Sequence, residues 1–107
     1  MSFLNIDLTK ANRPSLKQKS AVVRMLSYLV SVDDGARRRD HRGFNKEDTE
    51  EGHELYYLVR RDASVLDDDY YYSSARKLLY KYWRQLPSDC FDAIYGAGAW
   101  NRLDEES

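Results

Sequence analysis

Cysteine is nearly absent from this sequence. Cys90 is the single one, so no disulfide can close within the chain. That suits a reducing compartment better than a small secreted scaffold, which needs covalent staples. Only two prolines occur, Pro14 and Pro87, each placed where a helix boundary is expected. No apolar run approaches the length that spans a bilayer. The opening MSFLNIDLTK has no basic start followed by an apolar stretch, so no signal peptide is expected and the cytoplasm is the default location. Charge of one sign is lacking as well. Seventeen basic residues face 18 acidic ones, for a net charge of −1, which excludes a globally basic nucleic-acid binder but not a local basic patch. No hairpin signal, period-two run, internal repeat or Gly-rich phosphate loop is present. With 107 residues, the chain is expected to be one domain able to bury a core.

What is there is helical periodicity. Ser15 and Gln18 have capping-box spacing, and Val22, Val23, Leu26, Leu29 and Val30 share an arc at about 100° per residue. This predicts a first helix from Ser15 that weakens at Asp34-Gly35. A second helix is expected from Asn45, a good N-cap with Asp48 three residues on. Glu47, Asp48, Glu50 and Glu51 favour a helix N-terminus. Thr49, Gly52, Leu55, Tyr56 and Val59 form its apolar arc. A glycine inside a helix costs about 1 kcal/mol relative to alanine, so Gly52 points to close approach of another backbone. Residues 63–69 read as a connection. A third helix is predicted over Tyr70 to Gln85, with Tyr71, Tyr72, Ala75, Leu78, Leu79, Tyr82 and Leu86 on one arc and Pro87 stopping it at or before Leu86. Ser88 is placed to cap a short fourth helix ended by Gly96. The fold class is therefore all-α: a small bundle of three main helices plus a short C-terminal helix. Residues 1–13 read as an N-terminal arm, 14–96 as the helical domain and 97–107 as a C-terminal tail anchored by Trp100.

The densest cluster of chemistry-bearing residues is DGARRRDHRGFNKEDTEEG, from Asp34 to Gly52. Asp34, Asp40, Asn45 and Asp48 are hard-cation ligand types, but their spacing matches no calcium loop, and Arg37, Arg38, Arg39 and Arg42 would repel a cation. No metal and no cofactor is expected. The scaffold reading is that Asp34 and Gly35 end one helix, Gly43 permits a turn, Phe44 plugs the core, and Asn45 with Asp48 starts the next helix. Asp40 accepts from loop amides or pairs with an arginine. The four arginines are suited to bidentate contact with phosphates or carboxylates. They equally suit a solvated loop that balances the acidic start of helix 2.

On a helical wheel Arg76, Lys77, Lys81 and Arg84 lie opposite the apolar arc of helix 3, with Tyr80 among them and Trp83 at the boundary. Cations neutralise phosphates and rings stack on bases, so such a stripe suits nucleic acid. It also suits a solvated face with basic residues near a helix C-terminus. Catalysis finds no pattern: Cys90 lies in no motif, and His41 and His53 fall in a charged segment.

Asp34-Gly35-Ala36, Asp40, Gly43-Phe44-Asn45, Asp48 and Gly52, followed by Lys81-Tyr82-Trp83-Arg84-Gln85-Leu86-Pro87, resemble a short helical accessory module. That module occurs beside or fused to helicases and other DNA-processing proteins of phages, plasmids and related mobile elements. The resemblance covers about residues 22–87. It departs at His41, where the pattern has glycine. It implies a nucleic-acid-processing setting. The expected function is a non-enzymatic module that contacts nucleic acid, DNA or RNA, or a nucleic-acid-processing complex. The contact residues would be Arg37, Arg38, Arg39, Arg42, Arg76, Lys77, Tyr80, Lys81 and Arg84, with no membrane partner. The alternative is a protein-interaction module, such as a phage inhibitor of a host defence complex or a small helical subunit of a ribonucleoprotein.

Overall fold

The computed structural model describes residues 13–32 and 43–106. Within them lie five α-helices: α1 Leu16–Val32, α2 Thr49–Arg61, α3 Asp69–Tyr80, α4 Ser88–Tyr95 and α5 Ala99–Glu106. Three 3₁₀ turns, Lys46–Asp48, Ala63–Asp67 and Trp83–Gln85, connect them, and no strand occurs among the described residues. The all-α class is as expected. No described helix is long and apolar enough to cross a membrane.

The capping box forms. The Ser15 amide donates to Gln18 Oε1 at 2.8 Å, and the Gln18 amide donates to Ser15 Oγ at 3.1 Å. Gln18 Nε2 also donates to the Ala93 carbonyl at 3.3 Å, pinning the start of α1 to α4. α1 is the central helix, packed on α2, α4 and the turn Ala63–Asp67. Its buried face is Ala21, Val22, Met25, Leu26 and Leu29. Met25 thus joins the core, while Val23 and Val30 sit at its margin. Leu55 and Val59 from α2, Ala75, Leu78 and Leu79 from α3, and Phe91 and Ile94 from α4 complete it. Burying a side chain of this size contributes roughly 1.5–3 kcal/mol.

The Asp67-Asp68-Asp69 run separates into distinct jobs. Asp67 pairs with Lys19 at 2.8 Å, tying the connection to α1. Asp68 caps α3 by accepting from the Tyr70 amide at 2.9 Å, and Asp69 lies in the helix's first turn, where negative charge is favoured. The connection itself is a 3₁₀ turn that buries Leu66 completely.

Three expectations are corrected. Helix 3 stops at Tyr80 and continues as a 3₁₀ turn over Trp83–Gln85. The Lys81 and Tyr82 amides bond three residues back, to the Leu78 and Leu79 carbonyls, and Pro87 removes a further helical bond downstream. In an α-helix the Trp83 carbonyl would accept from residue 87, which is Pro87 and has no N–H. Trp83 instead accepts from the Leu86 amide at 3.1 Å and from Trp100 Nε1 at 2.7 Å. The second correction is the C-terminal tail, of which residues 99–106 form helix α5. Asp92 on α4 caps it, accepting from the Gly98 and Trp100 amides at 3.2 and 3.0 Å. The Trp100 ring meets Trp83 edge-on at 5.4 Å.

The third concerns Gly52. The group that approaches it is an aromatic ring, not a backbone. A Cβ on Gly52 would lie 2.4 Å from Phe44 Cζ. Phe44 is buried and packs edge-on against Tyr82 at 5.5 Å, so its ring has little room to retreat. Gly52→Ala is therefore expected to destabilise by about 1–3 kcal/mol through overpacking, despite alanine's higher helix propensity. Chemical denaturation of Gly52→Ala, Phe44→Leu and the double variant checks this, because the double variant should lose less than the sum of the two.

Candidate nucleic-acid interface

The two stretches singled out in the sequence meet in space. Gly43, at φ +81°, adopts a conformation that glycine takes without strain. Its amide donates to Gln85 Oε1 at 2.7 Å, and its carbonyl accepts from Gln85 Nε2 at 3.2 Å. One side-chain amide thus satisfies both backbone polar groups of one residue. Two residues on, the Asn45 amide donates to the Tyr82 hydroxyl at 2.9 Å. That hydroxyl donates in turn to Asp48 Oδ2 at 2.5 Å. Lys81 Nζ donates to both Asp48 oxygens, at 3.2 and 3.3 Å. These contacts form a clasp between the entry to α2 and the exit from α3.

The clasp reassigns several residues. Asn45 stands at the N-cap of the turn Lys46–Asp48 but makes no side-chain capping bond. Its carbonyl accepts from the Asp48 amide and from Thr49 Oγ1 instead. Asp48 is likewise the N-cap residue of α2 without a capping bond, because its carboxylate faces Tyr82 and Lys81. It is the one buried charged residue among those described, at 7 % exposure, and burial of a carboxylate is tolerable only with such partners. Gly43, Phe44, Asn45, Asp48 and Gly52 are thus scaffold. Gln85 belongs with them; its position three residues after Tyr82, on the same helical face, was the available signal. Asp34, Gly35, Asp40 and the arginines Arg37, Arg38, Arg39 and Arg42 lie outside the described residues.

The cations expected to form one stripe on helix 3 are dispersed. Lys81 is engaged by Asp48, although its side chain keeps 57 % exposure. Arg84 belongs to the turn Trp83–Gln85, and its guanidinium stacks on the neighbouring Trp83 ring at 5.3 Å. Arg76 is half-buried, with its guanidinium 5.6 Å from the Tyr72 ring and 5.8 Å from the Tyr95 ring. Such cation–π contacts are worth about 0.5–2 kcal/mol, most where water is excluded. Lys77 stands exposed beside it.

Arg76, Lys77 and Tyr80 do converge on one feature, a groove of about 880 Å³ along α3. Tyr70 and Asp69 line it near the start of the helix, Ser73 and Ser74 in its middle, and Tyr95 of α4 forms part of the wall. The reason is local. Tyr70, Ser73, Lys77 and Tyr80 are spaced i, i+3, i+7 and i+10 and share a helix face. Small serines between large rings leave a depression. Behind Tyr80 stand Tyr95, edge-on at 5.5 Å, and the buried Phe91 at 6.0 Å. The Tyr95 hydroxyl donates to the Arg76 carbonyl, so the wall is fixed to the helix it faces. Tyr70, Ser73, Ser74 and Tyr95 were absent from the expected contact set. The spacing of Tyr70 and Tyr80 was legible, but Tyr95 joins only through the packing of α4 on α3.

Nothing comparable exists for catalysis among the described residues. No group of three His, Cys, Asp or Glu side chains is placed to hold a metal ion. Burial pushes the Cys90 thiol upward, with Arg24 only partly opposing it, and a reactive cysteine needs the reverse. His53 lies beside the rings of Phe44 and Tyr57, at 6.1 and 6.3 Å. No family model, curated protein or solved structure matches the chain.

The clasp has measurable consequences. Tyr82→Phe removes a donor to Asp48 and an acceptor for the Asn45 amide, and should cost about 1–3 kcal/mol in chemical denaturation. Lys81→Met should cost less, about 0.5–1.5 kcal/mol, because the ammonium is largely exposed and Tyr82 still donates to the buried carboxylate. Alkaline pH gives a second measurement. Burial, aided by Asp48, raises the Tyr82 phenol above its ordinary range, and burial does the same for Tyr95 against the opposing charge of Arg76. The unfolded chain releases these protons at about pH 10, the folded protein only at higher pH. Their contribution is complete below pH 10, and stability falls as pH rises beyond it, by about 1.4 kcal/mol per pH unit for each phenol. Urea midpoints followed through that range should fall less steeply in Tyr82→Phe and in Tyr95→Phe than in the parent protein.

Proposed function

We propose that this protein is a non-enzymatic accessory module that contacts nucleic acid, alone or within a nucleic-acid-processing complex. The observation that carries the reading is the groove along α3, where Arg76 and Lys77 lie among Tyr70, Tyr80 and Tyr95. Rings with cations between them offer both things a nucleic acid presents, base faces and phosphates. Arg84, in the turn Trp83–Gln85, is a further exposed cation outside the groove. The resemblance to modules found beside helicases of mobile elements agrees with this setting.

A neutral whole with a few placed cations makes few phosphate contacts. Binding should therefore be modest and less salt-sensitive than that of a strongly basic protein. Fluorescence anisotropy with labelled single- and double-stranded oligonucleotides at low salt is the test. Lys77→Gln with Arg84→Gln is the informative variant, since both side chains are exposed and outside the Asp48 clasp. If both residues contact a single strand, removing them should lower the slope of log affinity against log salt by about 1.4. An absence of binding by the parent protein, or full binding by the variant, would show the direct-contact reading to be wrong.

A further inference from the structure

We infer that the groove along α3 holds an unpaired nucleic-acid strand, with bases stacked on Tyr70 and Tyr80 and phosphates set against Lys77. The inference rests on the nucleic-acid reading above and narrows it from nucleic acid in general to strands with free base faces.

Tyr70 and Tyr80 are the groove's exposed rings, at 71 % and 48 %. They lie ten residues apart on α3, about 15 Å at the α-helical rise. Both are supported by other rings. Tyr71 meets Tyr70 edge-on at 5.2 Å, and Tyr95 and Phe91 stand behind Tyr80. A ring already held in place loses little freedom when a base stacks on it, so more of the stacking energy appears as affinity. Between the rings Ser73 and Ser74 keep the floor low and present hydroxyls that donate or accept.

The balance of groups favours a single strand over a duplex. In a duplex the base faces are stacked on one another and only base edges reach the grooves, so exposed tyrosines gain little there. Duplex binding also draws on many phosphate contacts. This groove has Lys77 and Arg76, the latter's charge shared with two rings, and it has Asp69 at the Tyr70 end. Asp69 repels phosphate, which sets the strand's backbone toward Lys77. An acidic peptide would use the two cations but not the two rings.

The experiment is an anisotropy series with a labelled oligoglutamate peptide as control and four labelled nucleic-acid probes. They are single-stranded DNA, single-stranded RNA, a duplex of the same sequence, and a strand of abasic units carrying the same number of phosphates. DNA, RNA or both should bind more tightly than the duplex and the abasic strand. Tyr70→Ala and Tyr80→Ala should each weaken that binding about five- to 150-fold, the range for loss of one stacked base. Tyr70→Phe and Tyr80→Phe should retain it. Tyr70 is largely solvent-exposed, so its variants report on the groove even if Tyr80→Ala disturbs the packing on α4. Binding of the abasic strand, the duplex or an oligoglutamate peptide as tightly as the strand would overturn the inference. So would indifference to loss of the rings. In the abasic-strand and duplex cases nucleic-acid contact still stands. No binding by any of the four probes at low salt would remove both readings.

Discussion

The carboxylate of Asp48 is almost out of solvent, and its charge is accommodated because the Tyr82 hydroxyl and the Lys81 ammonium meet it. An unpartnered carboxylate at that depth would cost several kcal/mol. The arrangement ties together chain segments more than thirty residues apart in sequence. It sets Tyr82 where Phe44 can pack on it, and Phe44 in turn covers Gly52 on α2. Gln85 closes the same junction by bonding both polar groups of Gly43. The register of α2 against α3 follows from these contacts more than from any local propensity.

α3 serves two surfaces. Its apolar side, Tyr72, Ala75, Leu78 and Leu79, fills the core. The adjacent side forms the tyrosine- and cation-lined groove. Arg76 joins the two, with its guanidinium beside the rings of Tyr72 and Tyr95. Past the end of α3, Pro87 leaves the Trp83 carbonyl without a helical donor, and that carbonyl becomes the anchor for Trp100.

A functional reading based on counting cations would mislead here. Of four basic residues assigned to one face, Lys81 belongs to a structural ion pair, Arg84 lies beyond the helix end, and Arg76 is held by rings. In the nucleic-acid contact proposed above, the exposed aromatic rings would carry more of the recognition than total charge would suggest. That is consistent with a chain whose formal charges nearly cancel.

Much of the architecture was legible in the residues. The capping box of Ser15 and Gln18, the apolar arcs of α2 and α3, and Phe44 as a core plug all follow from helical spacing and burial, which are local properties. Pro87 marked a boundary at or before Leu86, but the end of α3 at Tyr80 was not legible. Other features depended on segments distant in sequence. Asp48 looked like an ordinary helix-start anion until Tyr82 was placed beside it. Gly52 pointed to close packing without naming Phe44. Residues 99–106 looked like a tail because their helix depends on a cap from Asp92 and an anchor on Trp83. Tyr95 enters the groove only when α4 packs on α3. By itself the sequence determined the all-α class, the presence of four of the five described helices and which of their faces are apolar, because those depend on neighbours three or four residues away. Only the tertiary structure decided which polar residues are scaffold and which remain available for contact, because that depends on what the opposing helix presents.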